Sequence, residues 1–319
     1  MRMLVGRTSR SARVLQDPLF RPTWTSEAGV GSDRFVAIQL TSMQAQEIPV
    51  ERWSDFEAKI RSLAPIPENN SRPWLFRGLG NSCWDLKTTL ERSYPAERSL
   101  FSYYRKVLVA KPALETFSGR RWDLLMNPFM FEECVNKAVG NAFTPDQIFG
   151  QPGGPPEVYE YFVYLRHHGF PSPLLDWTTS PYVAAFFAFD DVVPESTDRV
   201  CVYAVLPRAG GSSDSSRSFT FVGPHMRTHE RHYLQQCWYS ICMGLDLSTT
   251  NWMFGPQEPA MVADNLGPVY KPPLKFTIPA KERGPALEHL DLMNINRFSL
   301  FRSEDSLVHT VARRECGYS

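Results

Sequence analysis

No stretch of this sequence approaches the roughly 20 consecutive apolar residues that a membrane-spanning helix requires, so no membrane partner is expected. A dominant charge sign is missing as well: 34 lysines and arginines stand against 34 aspartates and glutamates. A field without direction speaks against a dedicated nucleic-acid binder, although it leaves room for a local basic pocket. C-x-x-C pairs do not occur. Cys83, Cys134, Cys201, Cys237, Cys242 and Cys316 are widely spaced, which reads as reduced thiols in a cytosolic-type compartment. Internal repeats are absent too, and no composition shift divides the core into two domains. No acid precedes Asp17, while Arg2, Arg7, Arg10 and Arg13 all fall in residues 1–16. That composition fits an organellar transit peptide and an irregular leader alike; the leader is preferred, and the expected location is cytoplasmic.

What the chain does have is size, proline and aromatic surface. Its 319 residues can bury a large core, and 26 prolines with 13% aromatics point to a loop-rich architecture. Residues 1–45 show no sustained period and read as a largely irregular tail, with one strand candidate at 34–38. Residues 46–319 are expected to form the folded domain. After Glu47, Pro49 suits a first helical turn, and Val50, Trp53, Phe56, Ile60 and Leu63 recur at three- and four-residue steps, predicting a helix. Residues 74–78 predict a strand, and 84–92 lead into a helix. A helix is predicted over 100–117, broken or kinked near Pro112. Residues 119–156 read as irregular. Residues 157–168 predict an aromatic helix closed by Gly169 in a left-handed cap. Beyond the next helix come a strand at 199–206 and a polar loop at 210–218. The period leaves 233–243 open between strand and helix. Then follow a strand at 274–278, a helix at 281–292, a strand at 297–301 and a helix at 305–313.

The most informative segment is Leu174-Leu175-Asp176-Trp177-Thr178-Thr179-Ser180-Pro181, which opens an apolar run from Tyr182 to Phe189. A helix needs one capping residue and tolerates proline at its first position. Ser180-Pro181 supplies both. Asp176, Trp177, Thr178 and Thr179 are surplus to capping, and surplus polar groups beside an apolar helix suggest a site. The aromatic helix around Tyr159, Tyr161, Phe162 and Tyr164 is expected to pack beneath it. His225, His229 and His232 form H-x3-H-x2-H, which on a helix places the first two on one face. No H-E-x-x-H motif accompanies them, and no metal ligand is assigned.

These pieces, in this order, resemble the FRG domain family. The resemblance rests on Phe76-Arg77-Gly78, on Trp84 and Leu86 with Arg92 after them, on His168-Gly169, on the block 174–178, and on Ser180-Pro181 with its Ala/Phe helix. A tail of Lys275 to Pro279, a helix and a strand at 297–301 extends it to residues 50–313. One departure stands out: the family usually carries Thr-Arg before Leu-Leu-Asp, whereas this chain has Ser172-Pro173. The family implies no settled reaction. A weaker resemblance is to the mono-ADP-ribosyltransferases, whose first-strand Arg-Gly is matched by Arg77-Gly78. Their Ser-Thr-Ser block is matched by Thr178-Thr179-Ser180, with Ala184 and Phe187 beyond it. That resemblance implies an arginine on NAD phosphates or ribose, a serine ordering the nicotinamide pocket, and a glutamate on a later strand. The third position here offers Arg231, Gln235 and Gln236, with Glu230 nearby. Glutamine can hold a ribose hydroxyl but supplies no charge to a developing cation.

The expectation is a single α+β domain with a mixed, mainly antiparallel sheet flanked by helices, with an ADP-ribosyltransferase-like fold as its finer form. A pocket for a small anionic or nucleotide ligand should join Arg77 to residues 176–180, with NAD as the candidate cofactor. Arg77, Ser180, Gln235 and Gln236 are the candidate catalytic residues. Arg77, Gly78, His168, Asp176, Trp177 and Thr178 are the candidate cofactor contacts. Each has a plainer alternative. Arg77 could pair with Asp176 as a buried ion pair, and Gly78 could serve a turn. Trp177 could be core, Thr178 or Ser180 a cap, and His167 and His168 dipole-facing imidazoles at a helix end. The competing function is a non-enzymatic ligand-sensing or interaction module.

Overall fold

Residues 75–79 alternate between two apolar surroundings, as a strand buried on both faces must: Leu75 and Leu79 join one cluster, and Phe76 joins another. The structure is a computed structural model that describes residues 45–63, 65–66, 72–139, 158–190, 197–207, 217–246, 248–249, 251–257, 261 and 272–317. All of these belong to one unit, Leu40–Ser319. Its strands are β1 (Gln46–Pro49), β2 (Leu75–Leu79), β3 (Leu175–Thr178), β4 (Arg199–Val205), β5 (Arg217–Val222), β6 (Cys237–Asp246), β7 (Asn251–Phe254) and β8 (Leu274–Pro279). Its helices are α1 (Trp53–Arg61), α2 (Thr89–Ser93), α3 (Leu100–Ser118), α4 (Pro128–Val139), α5 (Val158–His167), α6 (Pro181–Asp190), α7 (Arg231–Leu234), α8 (Arg283–Leu292), α9 (Arg297–Phe301) and α10 (Glu304–Cys316). No helix among the described residues is long and apolar enough to cross a membrane.

The strands form one sheet in the order β1-β8-β4-β2-β3-β6-β5, with β7 paired to β6. The β1–β8 pair is parallel and the other pairs are antiparallel. This is the expected α+β class with a mixed, mainly antiparallel sheet. One face carries two apolar clusters. Helices α6 and α8 pack over β2, β4 and β8, while α3 and α5 pack over β6 and β7. Strand β3 runs where the two clusters meet. The other face is lined by Leu75, Trp177, Tyr203, Phe219, Phe221 and Cys242 with their neighbours.

Helix α6 presses hard on β2. A Cβ added to Gly78 would lie 1.9 Å from the Ala184 carbonyl oxygen and 2.7 Å from the Ala188 nitrogen. The glycine of Phe76-Arg77-Gly78 therefore serves a close helix approach rather than a turn, and Gly78 itself is a strand residue.

Several local expectations are corrected. Residues 46–49 form edge strand β1, not a first helical turn; Pro49, lacking an N–H, is tolerated at the end of an edge strand. Val50, Trp53 and Phe56 are buried as the period implied. Helix α3 spans Pro112 unbroken. Residues 128–139, read as irregular, form α4. Arg217 and Ser218 open β5 instead of closing a loop. The open segment 233–243 divides between α7 and β6. Residues 297–301 are helix α9, not a strand. Five residues with apolar side chains at 298, 300 and 301 fit either period, and the reciprocal cap between Asn296 and Ser299 decides for helix. Gly169 closes α5 at φ +83°, as expected. The strand candidate at 34–38 and the segment 140–156 lie outside the described residues.

Overpacking a core usually costs about 1–3 kcal/mol. Gly78→Ala meets backbone, which cannot rotate away, so a loss of about 3 kcal/mol or more is expected in urea denaturation. A change below about 0.5 kcal/mol, the usual range of surface substitutions, would contradict the close approach of α6.

Candidate functional site

The buried run Tyr161–Leu165 ends at Arg166, and the guanidinium turns toward β3. Asp176 meets it from the helix-covered face of that strand. Arg166 Nε lies 3.0 Å and Nη2 2.6 Å from Asp176 Oδ2, a two-pronged pair. Arg166 Nη1 donates to Thr89 Oγ1 at 2.9 Å, and that oxygen also accepts the Ser172 N–H at 2.9 Å. Ser172, at the departure from the family pattern, is thus tied to the same network. The Asp176 side chain keeps 31% of its surface exposed against 13% for Arg166. Burial pushes its carboxyl up, but the Arg166 guanidinium, with smaller help from Arg77 and His167, leaves it below the ordinary value.

Beside this pair lies a buried cluster built by three elements. The register sets Asp176 opposite Tyr239 and Thr178 opposite Cys237, so all four side chains share one face. His167 ends α5 and His232 sits within α7. Both rings reach the Tyr239 hydroxyl, His167 Nε2 at 2.8 Å and His232 Nδ1 at 3.1 Å. His232 Nε2 stands 2.9 Å from the Pro224 carbonyl oxygen. A carbonyl only accepts, so Nε2 carries the ring proton and Nδ1 is left as an acceptor. Tyr239 therefore donates to His232 and accepts from His167. Burial pushes His167 down to about 4, against an upward pull from Asp176. Burial also lowers His232 and raises the Cys237 thiol and the Tyr239 phenol. At neutral pH the cluster is uncharged.

The opposite face carries different chemistry. Phe76 pairs with Thr178, which puts Arg77 beside Trp177. Arg77 also pairs with Tyr203, Tyr203 with Lys275, and Trp177 with Trp238. Lys275, Tyr203, Arg77, Trp177 and Trp238 thus form a row across five adjacent strands. Arg77, Trp238 and Lys275 are partly exposed, whereas Tyr203 and Trp177 are buried. Arg77 Nη1 donates to the Asp176 carbonyl oxygen at 2.7 Å, and Lys275 Nζ lies over the Tyr203 ring at 5.5 Å.

The structure accordingly divides the expected site. Arg77 does touch the 176–180 block, through a main-chain carbonyl, but its side chain leaves β2 on the face opposite Asp176 and Thr178. The carboxylate's ionic partner is Arg166, not Arg77. Trp177 donates its indole N–H to Ser240 Oγ at 2.9 Å, and Ser240 Oγ in turn donates to Gln257. Thr178 Oγ1 accepts the Ser180 N–H, and Ser180 Oγ accepts the Val183 N–H at the start of α6. Gln235 is buried with its amide donating to the Leu300 carbonyl oxygen at 3.1 Å. Gln236 is exposed at φ +51°; its main-chain and side-chain oxygens accept from the Thr179 N–H and hydroxyl. The exposed His168 meets His229 edge to face, outside the cluster. The H-x3-H-x2-H run is not one helix, since α7 begins only at Arg231, and it gives the cluster His232 alone. Sequence reasoning missed Arg166, Cys237 and Tyr239. A charged residue closing an aromatic helix was one available signal, and alternation along β6 would have supplied the others.

Residues 72–197 match the family model of the FRG domain. The chain carries an FRG domain. Comparison with curated proteins gives no match, and neither does comparison with solved structures. The FRG match contains β2, β3 and α6, so Asp176, Arg166, Arg77 and Gly78 all lie inside it. Strands β4, β6 and β8, which pair with the FRG strands or complete their sheet, follow it. His232, Cys237, Tyr239 and Trp238 therefore reach the FRG site from outside the matched residues.

Breaking a buried pair costs about 3–5 kcal/mol, and the partial exposure of Asp176 puts Arg166→Met near the lower end. Urea denaturation should show a loss of about 3 kcal/mol for Arg166→Met, with part recovered on adding Asp176→Asn. Strict additivity of the two changes would mean that the pair is not coupled.

Proposed function

We propose that the protein binds a phosphate-bearing nucleotide on the sheet face that carries Arg77, with NAD as the first candidate. The row of cations and rings from Lys275 to Trp238 supports this most directly. A planar guanidinium suits a pyrophosphate because it offers two parallel N–H donors. One Nη1 hydrogen bond to Asp176 O fixes its plane beside β3. Adjacent strands lie about 4.8 Å apart, so the two steps from β2 to β6 set Trp238 roughly 10 Å from Arg77. That is the scale of one nucleotide, with phosphate at the guanidinium and a ring on the partly exposed indole.

Binding without glycosyl transfer is the reading favoured here. A transferase needs a negative group at the third position. Gln235 and Gln236 are both held in structural bonds, to Leu300 and to Thr179. Ser180 and Thr178 are likewise spent on the start of α6. Arg77 and Trp238 suit a ligand's phosphate and ring, and neither Gln235 nor Gln236 brings a charge to an oxocarbenium-like state.

Titration calorimetry with NAD and with ADP should give saturable binding. Arg77→Lys should weaken it about tenfold or more, the scale of one charge-assisted hydrogen bond, with little change in thermal midpoint. Equal loss of affinity and stability would instead mark Arg77 as structural. Absence of binding at millimolar ligand would remove the proposal, and release of nicotinamide from NAD would restore the transferase reading.

A further inference from the structure

Across the sheet from Arg77, the His167–Tyr239–His232 cluster carries more donor chemistry than a hydrogen-bonded core requires. One ring nitrogen each of His167 and His232 lies with Cys237 Sγ within 4.8 Å of one another, and the nitrogens that face Tyr239 Oη are His167 Nε2 and His232 Nδ1. They come from α5, α7 and β6, so the tertiary fold, not a local motif, assembles them. We propose that these three atoms bind one zinc-class divalent cation, with the Tyr239 oxygen facing the fourth position.

The donor set suits such an ion. Two imidazoles and one thiolate match the borderline-soft character of zinc, and hard cations such as magnesium or calcium would not choose them. The outer partner is already in place. Ligating histidines usually donate their second ring N–H to a carbonyl or carboxylate, and His232 Nε2 does so to Pro224 O at 2.9 Å. That bond aims the Nδ1 lone pair inward. Tyr239 Oη stands 2.8 and 3.1 Å from the two ring nitrogens, so its oxygen borders the space between them. Cys237 and His232 are buried, which describes a closed, structural kind of site rather than one open to substrate.

Metal–ligand bonds of about 2.0–2.3 Å set tetrahedral donors roughly 3.3–3.6 Å apart, so the cluster must close by about 1 Å. On binding, the Cys237 S–H bond is replaced by a metal–sulfur bond and its proton leaves to solvent. His167 moves its ring proton from Nε2 to Nδ1, and Tyr239 keeps its proton, turned away from the ion. No electron is transferred.

The test uses the full chain, stripped with a chelator and titrated with Co²⁺ and then Zn²⁺. One cobalt per chain is expected, with a thiolate-to-cobalt charge-transfer band in the near ultraviolet and tetrahedral bands in the visible. Zinc should bleach both sets of bands and raise the thermal midpoint by several degrees. Cys237→Ser should abolish the charge-transfer band, and His232→Gln should weaken uptake tenfold or more. Substituting both His225 and His229 by alanine should leave uptake unchanged. A folded native chain that takes up no stoichiometric cobalt, or takes it up without a thiolate band, overturns the site. Because the site lies across the sheet from Arg77, nucleotide affinity and cobalt uptake fail or succeed separately.

Discussion

The pleat of β3 is the constraint on which the rest of this molecule depends. Four residues, Leu175 to Thr178, sit between β2 and β6, and each side chain must leave the sheet on the side opposite its neighbour. Asp176 and Thr178 go to the helix-covered face, and Leu175 and Trp177 go to the other. A one-residue slip would bury the carboxylate among Phe219 and Phe221 and would expose the indole to the polar cluster. Everything polar near the site follows from that register: the Arg166 pair and the histidine cluster on one side, the cation–aromatic row on the other.

That register is held by packing and by charge together. Helix α6 lies against β2 so closely that only a glycine fits at 78. The α5 helix delivers Arg166 to Asp176 from the second apolar cluster. The pair thus stands at the seam between the clusters, where hydrophobic packing alone would leave β3 without a partner for its carboxylate. A buried carboxylate is costly unless charge and hydrogen bonds compensate it. Here Arg166, fixed in turn by Thr89, provides both.

The long periodic elements were legible in the sequence, and so was the pairing of its two distant motifs. Helices with sustained period or strong caps, such as 158–167 and 304–316, fell where the pattern set them. Short segments did not: residues 46–49 and 297–301 carry too few side chains for a period to choose between helix and strand. The first was settled by parallel pairing to β8, and the second by the cap at Asn296. The surplus of polar residues at 176–180 lies on β3 and the start of α6, and Phe76-Arg77-Gly78 lies on the adjoining strand. What the pattern could not give was which face each side chain takes, because that depends on the register between strands about a hundred residues apart. Pairing Arg77 with Asp176 was the natural inference from proximity, and the pleat forbids it for the side chains.

By itself the sequence determined the α+β class, the cap at Ser180 and the meeting of two distant motifs, whereas the demand for glycine at 78 came from the docking of α6. The first three rest on local propensities or on residue types with one evident use. Tertiary structure alone decided that Arg166 is the partner of Asp176, that Gln235 and Gln236 are held in structural bonds, and that His167, His232 and Cys237 meet around Tyr239. Their donor atoms are brought together by helix docking on a sheet whose strands follow a non-sequential order. Side-chain chemistry is written locally, but the distances between reacting atoms are set by the packing of elements that are remote in the chain.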